Sequence, residues 1–204
     1  MDKKMEDKMI KRIIDFKVAG LLILILSPLF LLISLLIKID SEGPVFYKST
    51  RIGKGGKPFK MLKFRSMVKD AELTGPGITT KDDPRITHIG KLLRATKLDE
   101  LPNLFNVLKG DMSLVGPRPE VPEWVAKYTS QQREILRFKP GMTGPAQLKY
   151  INESLKIKNI DKDYPSILFD KLTLDLEYLK EASLLFDIKL LLTTLKEVIT
   201  SNYF

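Results

Sequence analysis

Residues 18–37 read VAGLLILILSPLFLLISLLI, a run of twenty residues without a single charge. As one straight helix this run would be roughly 30 Å long, which matches the thickness of a bilayer core. It is long for the apolar region of a cleaved signal peptide, and no small-residue cleavage site precedes the basic stretch that follows it. The sequence therefore predicts a membrane-associated protein.

The middle of the run carries Ser27 and Pro28, which leave two topologies open. Pro28 has no N–H for the carbonyl of Leu24 and favours a kink. A kinked helix can still span the bilayer, but each half, roughly 13 Å long, is also enough to reach the midplane and return. Basic residues predominate on both flanks, with nine Lys/Arg against two Asp/Glu in residues 38–69 and six against four in residues 1–17. The positive-inside rule favours placing both flanks in the cytoplasm, as only a re-entrant helix allows.

Composition excludes several classes of protein. A length of 204 residues, 44% of them apolar and 29% charged, indicates a folded chain of one domain, or of one domain with an appendage. The absence of cysteine excludes disulfides, thiolate nucleophiles and Cys-ligated metals. The single histidine, His88, excludes sites that need two imidazoles, and we assign it no role. We divide the chain into a membrane segment, residues 1–37, and a second domain, residues 38–204.

Beyond residue 40 the pattern predicts an α+β fold that is mainly helical. Two alternating stretches, residues 43–53 and 57–67, flank a glycine-rich turn and predict a β-hairpin. That turn lacks the G-x-x-x-x-G-K frame of a phosphate loop. Residues 70–84 resemble a long loop, and AQLKY at 146–150 resembles a short strand.

Helical spacing and stop signals predict the helices of this domain. They are expected over residues 86–96, 101–109, 122–138, 166–180 and 184–201. One helix face carries an apolar stripe made of Leu168, Leu172, Leu176 and Leu179. We favour core packing of this stripe over contact with the membrane interface.

Asp99 and Glu100 precede Leu101-Pro102 and are the sharpest local feature. Because proline is tolerated only in the first turn of a helix, a helix is expected to start near Glu100 or Leu101. Both carboxylates would then lie at a helix N-terminus, where free N–H groups and the helix dipole stabilise negative charge. The ordinary alternative is that Asp99 simply caps the helix.

Cationic side chains suited to phosphate accompany this pair in the sequence: Lys63, Arg65, Arg85, Arg94 and Arg118. Arg118 stands between two prolines, so its backbone loses little entropy on binding. Any one of these arginines alone would be an ordinary surface charge. Together with the two carboxylates and the membrane segment, they suggest phosphoryl chemistry on a lipid, with a divalent metal and an aspartate able to act as a covalent nucleophile.

The chain resembles the bacterial sugar transferases, the small monotopic phosphoglycosyl transferases that begin glycan assembly on polyprenyl phosphate. The most specific segment is the unbroken NVLKGDMSLVGPRP at residues 106–119. The other matching segments, in chain order, are Lys11-Arg12 with Asp15, Ser27-Pro28 in the apolar run, GPVF at 43–46, KFRSM at 63–67, Asp83-x-Arg85-Ile86-Thr87, LDELP at 98–102 and PGMTG at 140–144. The resemblance therefore covers nearly the whole chain.

This resemblance implies transfer of a phosphosugar from a UDP-sugar to polyprenyl (undecaprenyl) phosphate, giving polyprenyl diphosphate sugar and UMP. It makes Asp99 the nucleophile and the ligand of Mg²⁺ (or Mn²⁺), with Glu100 as its acidic partner. Arg94 would lie near the lipid phosphate. Lys63, Arg65 and Arg118 match other basic motif positions, and Arg85 and Gln147 complete the expected substrate- and phosphate-binding set.

The resemblance also implies a re-entrant helix broken at Ser27-Pro28. Both ends would then lie in the cytoplasm, with a monotopic enzyme on the cytoplasmic face of the bacterial inner membrane. The expected partners are the UDP-sugar donor, the polyprenyl phosphate acceptor and membrane lipids, without nucleic acid, and a homodimer is compatible with this arrangement.

Some positions depart from the family pattern. Many members follow PGMTG with WAQVNGRN, whereas here PAQLKYIN puts Ile151 at the usual arginine. If the usual arginine holds the nucleotide or the sugar in other members, this chain would use another cation, with Lys149 as the candidate, or would take a different donor. Lys97 and Ser66 replace the more usual serine and threonine.

Two rival functions are distinguishable by experiment. A non-catalytic membrane scaffold that binds anionic lipid would tolerate Asp99→Asn, whereas an enzyme would not. A nucleic-acid binder could use Phe46, Tyr47, Phe59 and Phe64 as stacking platforms, although these aromatics also suit the buried face of a hairpin.

Overall fold

The computed structural model describes residues 3–75, 79, 83–152, 157 and 159–200. Within them helices combine with two small sheets, which confirms the predicted mixture of α and β structure. The elements in chain order are α1 (Lys3–Asp40), β1 (Phe46–Ile52), β2 (Pro58–Phe64), α2 (His88–Ala95), α3 (Asn103–Lys109), β3 (Ser113–Val115), α4 (Pro122–Val125), β4 (Gly141–Thr143), α5 (Pro145–Lys149), α6 (Ile160–Glu181) and α7 (Leu184–Thr200). Short 3-10 turns connect several of them.

Helix α1 runs through Pro28 without interruption, so the expected break at Ser27-Pro28 is not a break in helical structure. Ser27 Oγ donates to the carbonyl of Leu24 at 2.8 Å. This carbonyl would otherwise lack a helical hydrogen bond, because Pro28 has no N–H to donate to it. This side-chain bond keeps the backbone satisfied on an exposed, apolar helix. The segment Met9–Asp40 is long and apolar enough to cross a membrane, and only 17% of its most apolar part is buried.

The first third of α1 packs on α3 and β3. Arg12 donates to the carbonyls of Val107 and Leu108 at 2.6 and 2.8 Å, at the C-terminal end of α3. Asp15 accepts from the hydroxyl of Ser113 at 2.8 Å in β3. These bonds attach the start of α1 to α3 and β3.

The last third of α1 packs on the hairpin and on α2. Phe30, Ile33 and Ile37 share a buried apolar cluster with Phe64 and Leu93. The rings of Phe30 and Phe64 are 5.2 Å apart. Both ends of α1 therefore rest on one body.

The predicted hairpin is confirmed. Strands β1 and β2 are antiparallel, with Phe46 opposite Phe64 and Ile52 opposite Pro58. Gly55 and Gly56 have φ values of 71° and 73° in the turn, a conformation that few other residues adopt. The glycines thus serve the turn.

The strand predicted at residues 146–150 is wrong, because this segment forms helix α5 with Pro145 in its first turn. The strand lies just before it, where β4 pairs in parallel with β3. A Cβ on Gly141 would lie 2.1 Å from the nitrogen of Gly116, so only glycine permits this approach.

The single helix predicted over residues 122–138 is also wrong. Helix α4 ends at Val125, and a separate 3-10 helix covers Gln132–Arg137. Thr129 and Gln132 exchange hydrogen bonds of 2.9 and 3.3 Å, which start this second helix afresh.

The leucine stripe lies in the core, as expected. Leu168 and Leu172 on α6 are buried, and Leu176 and Leu179 pack partly against the same cluster. Helix α6 begins at Ile160, earlier than predicted, because Asn159 caps it by accepting from the Lys162 amide at 3.1 Å. Of the long loop expected at 70–84, residues 76–78 and 80–82 lie outside the described part of the chain.

Candidate active site

Asp99 and Glu100 lie on a 3-10 turn, Leu98–Glu100, between α2 and α3. The helix expected to begin at Glu100 or Leu101 begins at Asn103, after Pro102. The residue at its N-cap position is Pro102, and no side chain caps the helix there. Asp99 is therefore not the N-cap of α3, which removes the ordinary structural explanation for it.

Glu100 is held by two cations from distant parts of the chain. Its Oε1 accepts from Lys63 Nζ at 2.7 Å and from Arg118 Nη2 at 3.0 Å. Burial alone would raise the pKa of the Glu100 carboxyl, but Arg118 and Lys63 together lower this pKa well below its usual value. Glu100 is thus a fixed carboxylate.

Asp99 is in the opposite situation although it is the next residue in the chain. It is buried, with 7% of its surface exposed, and no described residue donates a hydrogen bond to its carboxylate. Burial raises the pKa of Asp99, and the nearby positive charge of Lys63 opposes that rise. Since buried polar groups are usually hydrogen-bonded, a carboxylate that accepts no hydrogen bond from the described residues is available to a ligand.

Lys63 reaches the turn because the hairpin is attached to α3 through Asn106. The buried Asn106 side chain accepts from the Leu62 amide at 2.9 Å and donates to the Lys60 carbonyl at 2.8 Å. These two bonds fix the end of β2 beside α3. The Lys63 ammonium is thereby placed over Glu100.

Arg118 is positioned from its backbone. The loop Gly116–Pro119 follows β3, and Asp175 on α6 accepts from the Arg118 amide at 3.2 Å. The Pro117 carbonyl accepts from the Gly141 amide at 2.8 Å. The loop is therefore held on two sides while the guanidinium extends to Glu100.

Arg94, near the end of α2, also acts on the pair. Its positive charge lowers the pKa of Asp99 and also lowers the pKa of Asp83. Of the predicted site residues, the structure thus brings together Asp99, Glu100, Lys63, Arg94 and Arg118.

Three other predicted residues are engaged in the scaffold. Arg65 is buried and donates to the carbonyls of Ser41, at 2.7 Å, and Glu42, so it closes the C-terminal end of α1. Arg85 forms a two-pronged pair with Asp83, with bonds of 2.9 and 2.7 Å. Gln147 donates to the carbonyls of Gly116 and Gly141 at 3.3 and 3.4 Å. A substrate-binding role for these three stays a prediction.

Two residues of the site were missed from the sequence. Lys97, whose charge acts on both carboxylates, immediately precedes the turn and could have been found from that proximity. Asp175, which holds the Arg118 backbone, is 57 residues away from it and carries no sequence signal. Burial raises the pKa of Asp175 to about 7.

The candidate replacement cation, Lys149, pairs with Asp170 on α6 at 2.7 Å. The Lys149 side chain is 52% exposed and that of Asp170 is 38% exposed. Lys149 is thus paired with a residue outside the turn Leu98–Glu100 that carries Asp99 and Glu100.

Comparison with known proteins identifies the family of the chain. The model of the bacterial sugar transferase family matches residues 6–201. The undecaprenyl-phosphate glucose phosphotransferase of Komagataeibacter xylinus is 39% identical over 206 residues, covering 97% of this chain and 37% of that protein. The UDP-glucose:undecaprenyl-phosphate glucose-1-phosphate transferase of Escherichia coli K12 is 38% identical, covering 92% of this chain and 40% of that protein.

A further relative is named for a different sugar. The UDP-N-acetylgalactosamine-undecaprenyl-phosphate N-acetylgalactosaminephosphotransferase of Aeromonas hydrophila is 38% identical, covering 94% of this chain and 44% of that protein. The chain thus spans less than half the length of these three relatives.

Proposed function

The chain belongs to the bacterial sugar transferase family, and we propose that it transfers a phosphosugar from a UDP-sugar to undecaprenyl phosphate through a covalent intermediate on Asp99. The reaction would release UMP and form undecaprenyl diphosphate sugar. The three relatives described above are named for sugar-phosphate transfer to undecaprenyl phosphate. Their names differ in the sugar, so the sugar is left open.

One observation carries this proposal: two adjacent carboxylates have opposite environments. Glu100 is fixed by Lys63 and Arg118, whereas no described residue holds the buried Asp99 carboxylate. A nucleophile must have an oxygen lone pair available, while the residue beside it can orient the cations. This contrast supports Asp99 as the attacking group and Glu100 as its partner.

The proposed chemistry has two displacements at the same phosphorus. In the first, an Asp99 carboxylate oxygen attacks the sugar-bearing phosphorus, the bond to the UMP oxygen breaks, and UMP leaves. In the second, a phosphate oxygen of undecaprenyl phosphate attacks that phosphorus, and the bond to Asp99 breaks. Lys63, Arg94 and Arg118, whose charges act on these carboxylates, would stabilise the negative charge of the phosphoryl group.

The residues fit a magnesium ion that is bound jointly with substrate. Within the described residues no cluster of three or more His, Cys, Asp or Glu side chains could hold a metal alone. Mg²⁺ usually takes one or two carboxylates together with substrate phosphates, and the unpartnered Asp99 offers such a ligand. When bound, the ion would neutralise charge on the donor diphosphate.

The packing of α1 supports a monotopic, re-entrant membrane segment. Its start is bonded to α3 and β3, and its end packs on the hairpin and α2. A straight spanning helix of this length would carry one end to the far side of the bilayer, away from the domain. With both ends on one domain rich in Lys and Arg, we infer that both lie at the cytoplasmic face of the bacterial inner membrane.

Exposed apolar side chains indicate which surfaces would meet lipid. Leu24, Leu31 and Ile39 on α1 are each more than 70% exposed. On α7, Leu185 and Leu192 are also exposed, so this helix could rest on the same membrane surface. Such surfaces would be unfavourable in water.

The function is tested by UMP release from detergent-purified full-length protein with Mg²⁺, using a panel of UDP-sugars with and without undecaprenyl phosphate. We expect lipid-dependent UMP release with one sugar and a loss of about a thousandfold or more in Asp99→Asn. The matched control is Asp161→Asn, an exposed carboxylate on α6. Turnover retained in Asp99→Asn would contradict the role of Asp99 and place the nucleophile on another residue. No turnover of any donor by the wild type would contradict the transfer reaction and favour a scaffold.

A further inference from the structure

Asn103, the first residue of α3, carries a buried carboxamide that has no partner in the described part of the fold. Its side chain is 0% exposed, and within the described residues neither its Oδ1 nor its Nδ2 forms a hydrogen bond. Buried amides are ordinarily hydrogen-bonded, because an amide removed from water without a replacement partner destabilises the folded state. The presence of this amide therefore points to a role other than packing.

The backbone carries Asn103 one turn beyond Asp99. Leu101 (φ −53°, ψ −37°) and Pro102 (φ −61°, ψ −14°) both have helical dihedral angles, so the 3-10 turn continues into α3. The Leu104 amide donates to the Leu101 carbonyl at 3.0 Å across this junction. In a helix, residues four apart share one face, with Cβ atoms roughly 6 Å apart. Asp99 and Asn103 therefore lie on the same side of this segment.

The same face continues to Asn106, whose contacts show what this face packs against. The Asn106 side chain is bonded to the Leu62 amide and the Lys60 carbonyl of β2. Asp99, Asn103 and Asn106 are all buried, and their spacing of four and then three residues is that of one helix face. Asn103 thus lies between the proposed nucleophile and the bonds that attach α3 to β2.

The Asp99 carboxylate and the Asn103 carboxamide are complementary in their hydrogen-bonding groups. An ionised carboxylate only accepts hydrogen bonds, whereas a carboxamide donates through its nitrogen and accepts through its oxygen. No direct hydrogen bond joins the two side chains, and a separation of one helical turn suits a bridge of one water molecule. Such a water would accept from Asn103 Nδ2 and donate to an oxygen of Asp99.

Resting on the proposed function, we propose that Asn103 positions Asp99 for attack, by holding one oxygen of its carboxylate through a bridging water. The other oxygen is then directed at the phosphorus of the donor. A carboxylate without such a bond rotates about its last side-chain bond, so it spends less time in the orientation that attack requires. Asn103 itself touches no reacting atom and acts only through Asp99.

The test separates the rate of the first displacement from donor binding and from stability. Single-turnover release of UMP, without lipid acceptor, is measured in MgCl₂ with the UDP-sugar that the wild type turns over. UDP affinity is measured by calorimetry, and Tm by thermal unfolding. The proteins are full-length detergent-purified wild type, Asn103→Leu, Asn103→Ala and Asn103→Ser. Gln131→Leu is the control, since it removes an exposed carboxamide that caps no helix.

We expect Asn103→Leu to lower the rate constant of UMP release about tenfold or more and to leave the dissociation constant of UDP within about twofold. Its Tm should not fall, because leucine is similar in size and the amide forms no hydrogen bond with the described residues. Asn103→Ser should release UMP at least about threefold faster than Asn103→Ala, since its hydroxyl can still hold a water. Gln131→Leu should match the wild type in all three measurements.

The serine and alanine variants decide the question if Asn103→Leu fails to fold. Equal rates in these two variants would assign the amide to the fold and overturn the inference. A wild-type rate in Asn103→Leu would overturn it as well, and so would a loss of UDP affinity with an unchanged rate of UMP release. In each of these cases the wild type still releases UMP, so the proposed function stands. If the wild type releases no UMP from any donor, the proposed function fails and the inference falls with it.

Discussion

Lys63 and Glu100, 37 residues apart in the chain, form a 2.7 Å ion pair that joins the end of β2 to the turn carrying Asp99. Arg118 donates to the same carboxylate oxygen. The pair therefore does two things at once: it orients cations beside the site, and it holds the turn that presents Asp99. A charged pair at a partly buried position depends on both partners, because either one alone would be left uncompensated.

The first prediction concerns this pair as a unit. Lys63→Met and Glu100→Gln should each lower kcat/KM about a hundredfold, while the double variant should lose little more than either single one, because the two act together. Steady-state kinetics of the full double-mutant cycle would give a coupling energy of about 2 kcal/mol. Lys109→Met is the control, since Lys109 is exposed in its pair with Asp111. Additive losses would show that Lys63 and Glu100 act independently.

A covalent intermediate should be visible directly. When the protein is incubated with its donor and Mg²⁺ but without lipid acceptor, intact-mass spectrometry should detect one added phosphosugar. Asp99→Asn should show no adduct, because the amide lacks a nucleophilic carboxylate oxygen. An adduct that persists in this variant would place the nucleophile on another residue.

Asp175 should make stability depend on pH. Burial raises its pKa in the folded protein to about 7, from 3.8 as the ordinary value. Between pH 3.8 and about 7 the folded protein keeps the proton on Asp175, whereas the unfolded chain loses it. The contribution of this proton to the free energy of unfolding is therefore complete below pH 3.8 and is lost as the pH rises through 7. The loss amounts to as much as roughly 4 kcal/mol.

Asp175→Asn removes this titration and keeps an acceptor for the Arg118 amide. In detergent, the Tm of Asp175→Asn minus the Tm of the wild type should be larger at pH 8 than at pH 5. The same difference between the two proteins at both pH values would mean that Asp175 titrates like an ordinary aspartate.

The topology of α1 can be tested because the chain has no cysteine. Unique cysteines at Met9, before the apolar run, and at Lys57, in the hairpin turn, should both react with a membrane-impermeant maleimide from the cytoplasmic side. The re-entrant arrangement requires the same side for both positions. Labelling from opposite sides in oriented vesicles would establish a spanning helix.

Arg65 should affect stability and not donor binding. Its guanidinium donates to carbonyls at the end of α1, so Arg65→Met should lower the free energy of unfolding by about 3 kcal/mol, since it leaves buried carbonyls unsatisfied. KM for the donor should stay unchanged in the protein that remains folded. Arg137→Met, which removes a solvent-exposed ion pair, should leave Tm unchanged. A raised KM with unchanged Tm would return Arg65 to the substrate site.

Several elements of the fold could be predicted from local pattern. The apolar run, the glycine turn of the hairpin and the leucine stripe of α6 each follow from periodicity or turn chemistry within one segment. Predictions failed where short-range signals compete. Residues 146–150 alternate like a strand, but Pro145 starts a helix there, and β3 and β4 are too short to show any period.

The sequence by itself determined that Asp99 and Glu100 are adjacent, that basic motifs accompany them, and that an apolar segment precedes them. Only the tertiary structure decided which cations reach the pair. Lys63 and Arg65 are two residues apart, yet one contacts Glu100 and the other closes α1. The physical reason is that the group a side chain contacts depends on which distant element packs beside its strand. Such packing joins segments far apart in the chain, as does the hydrogen bond from the Arg118 amide to Asp175, and contacts of this range produce no periodic pattern in the sequence.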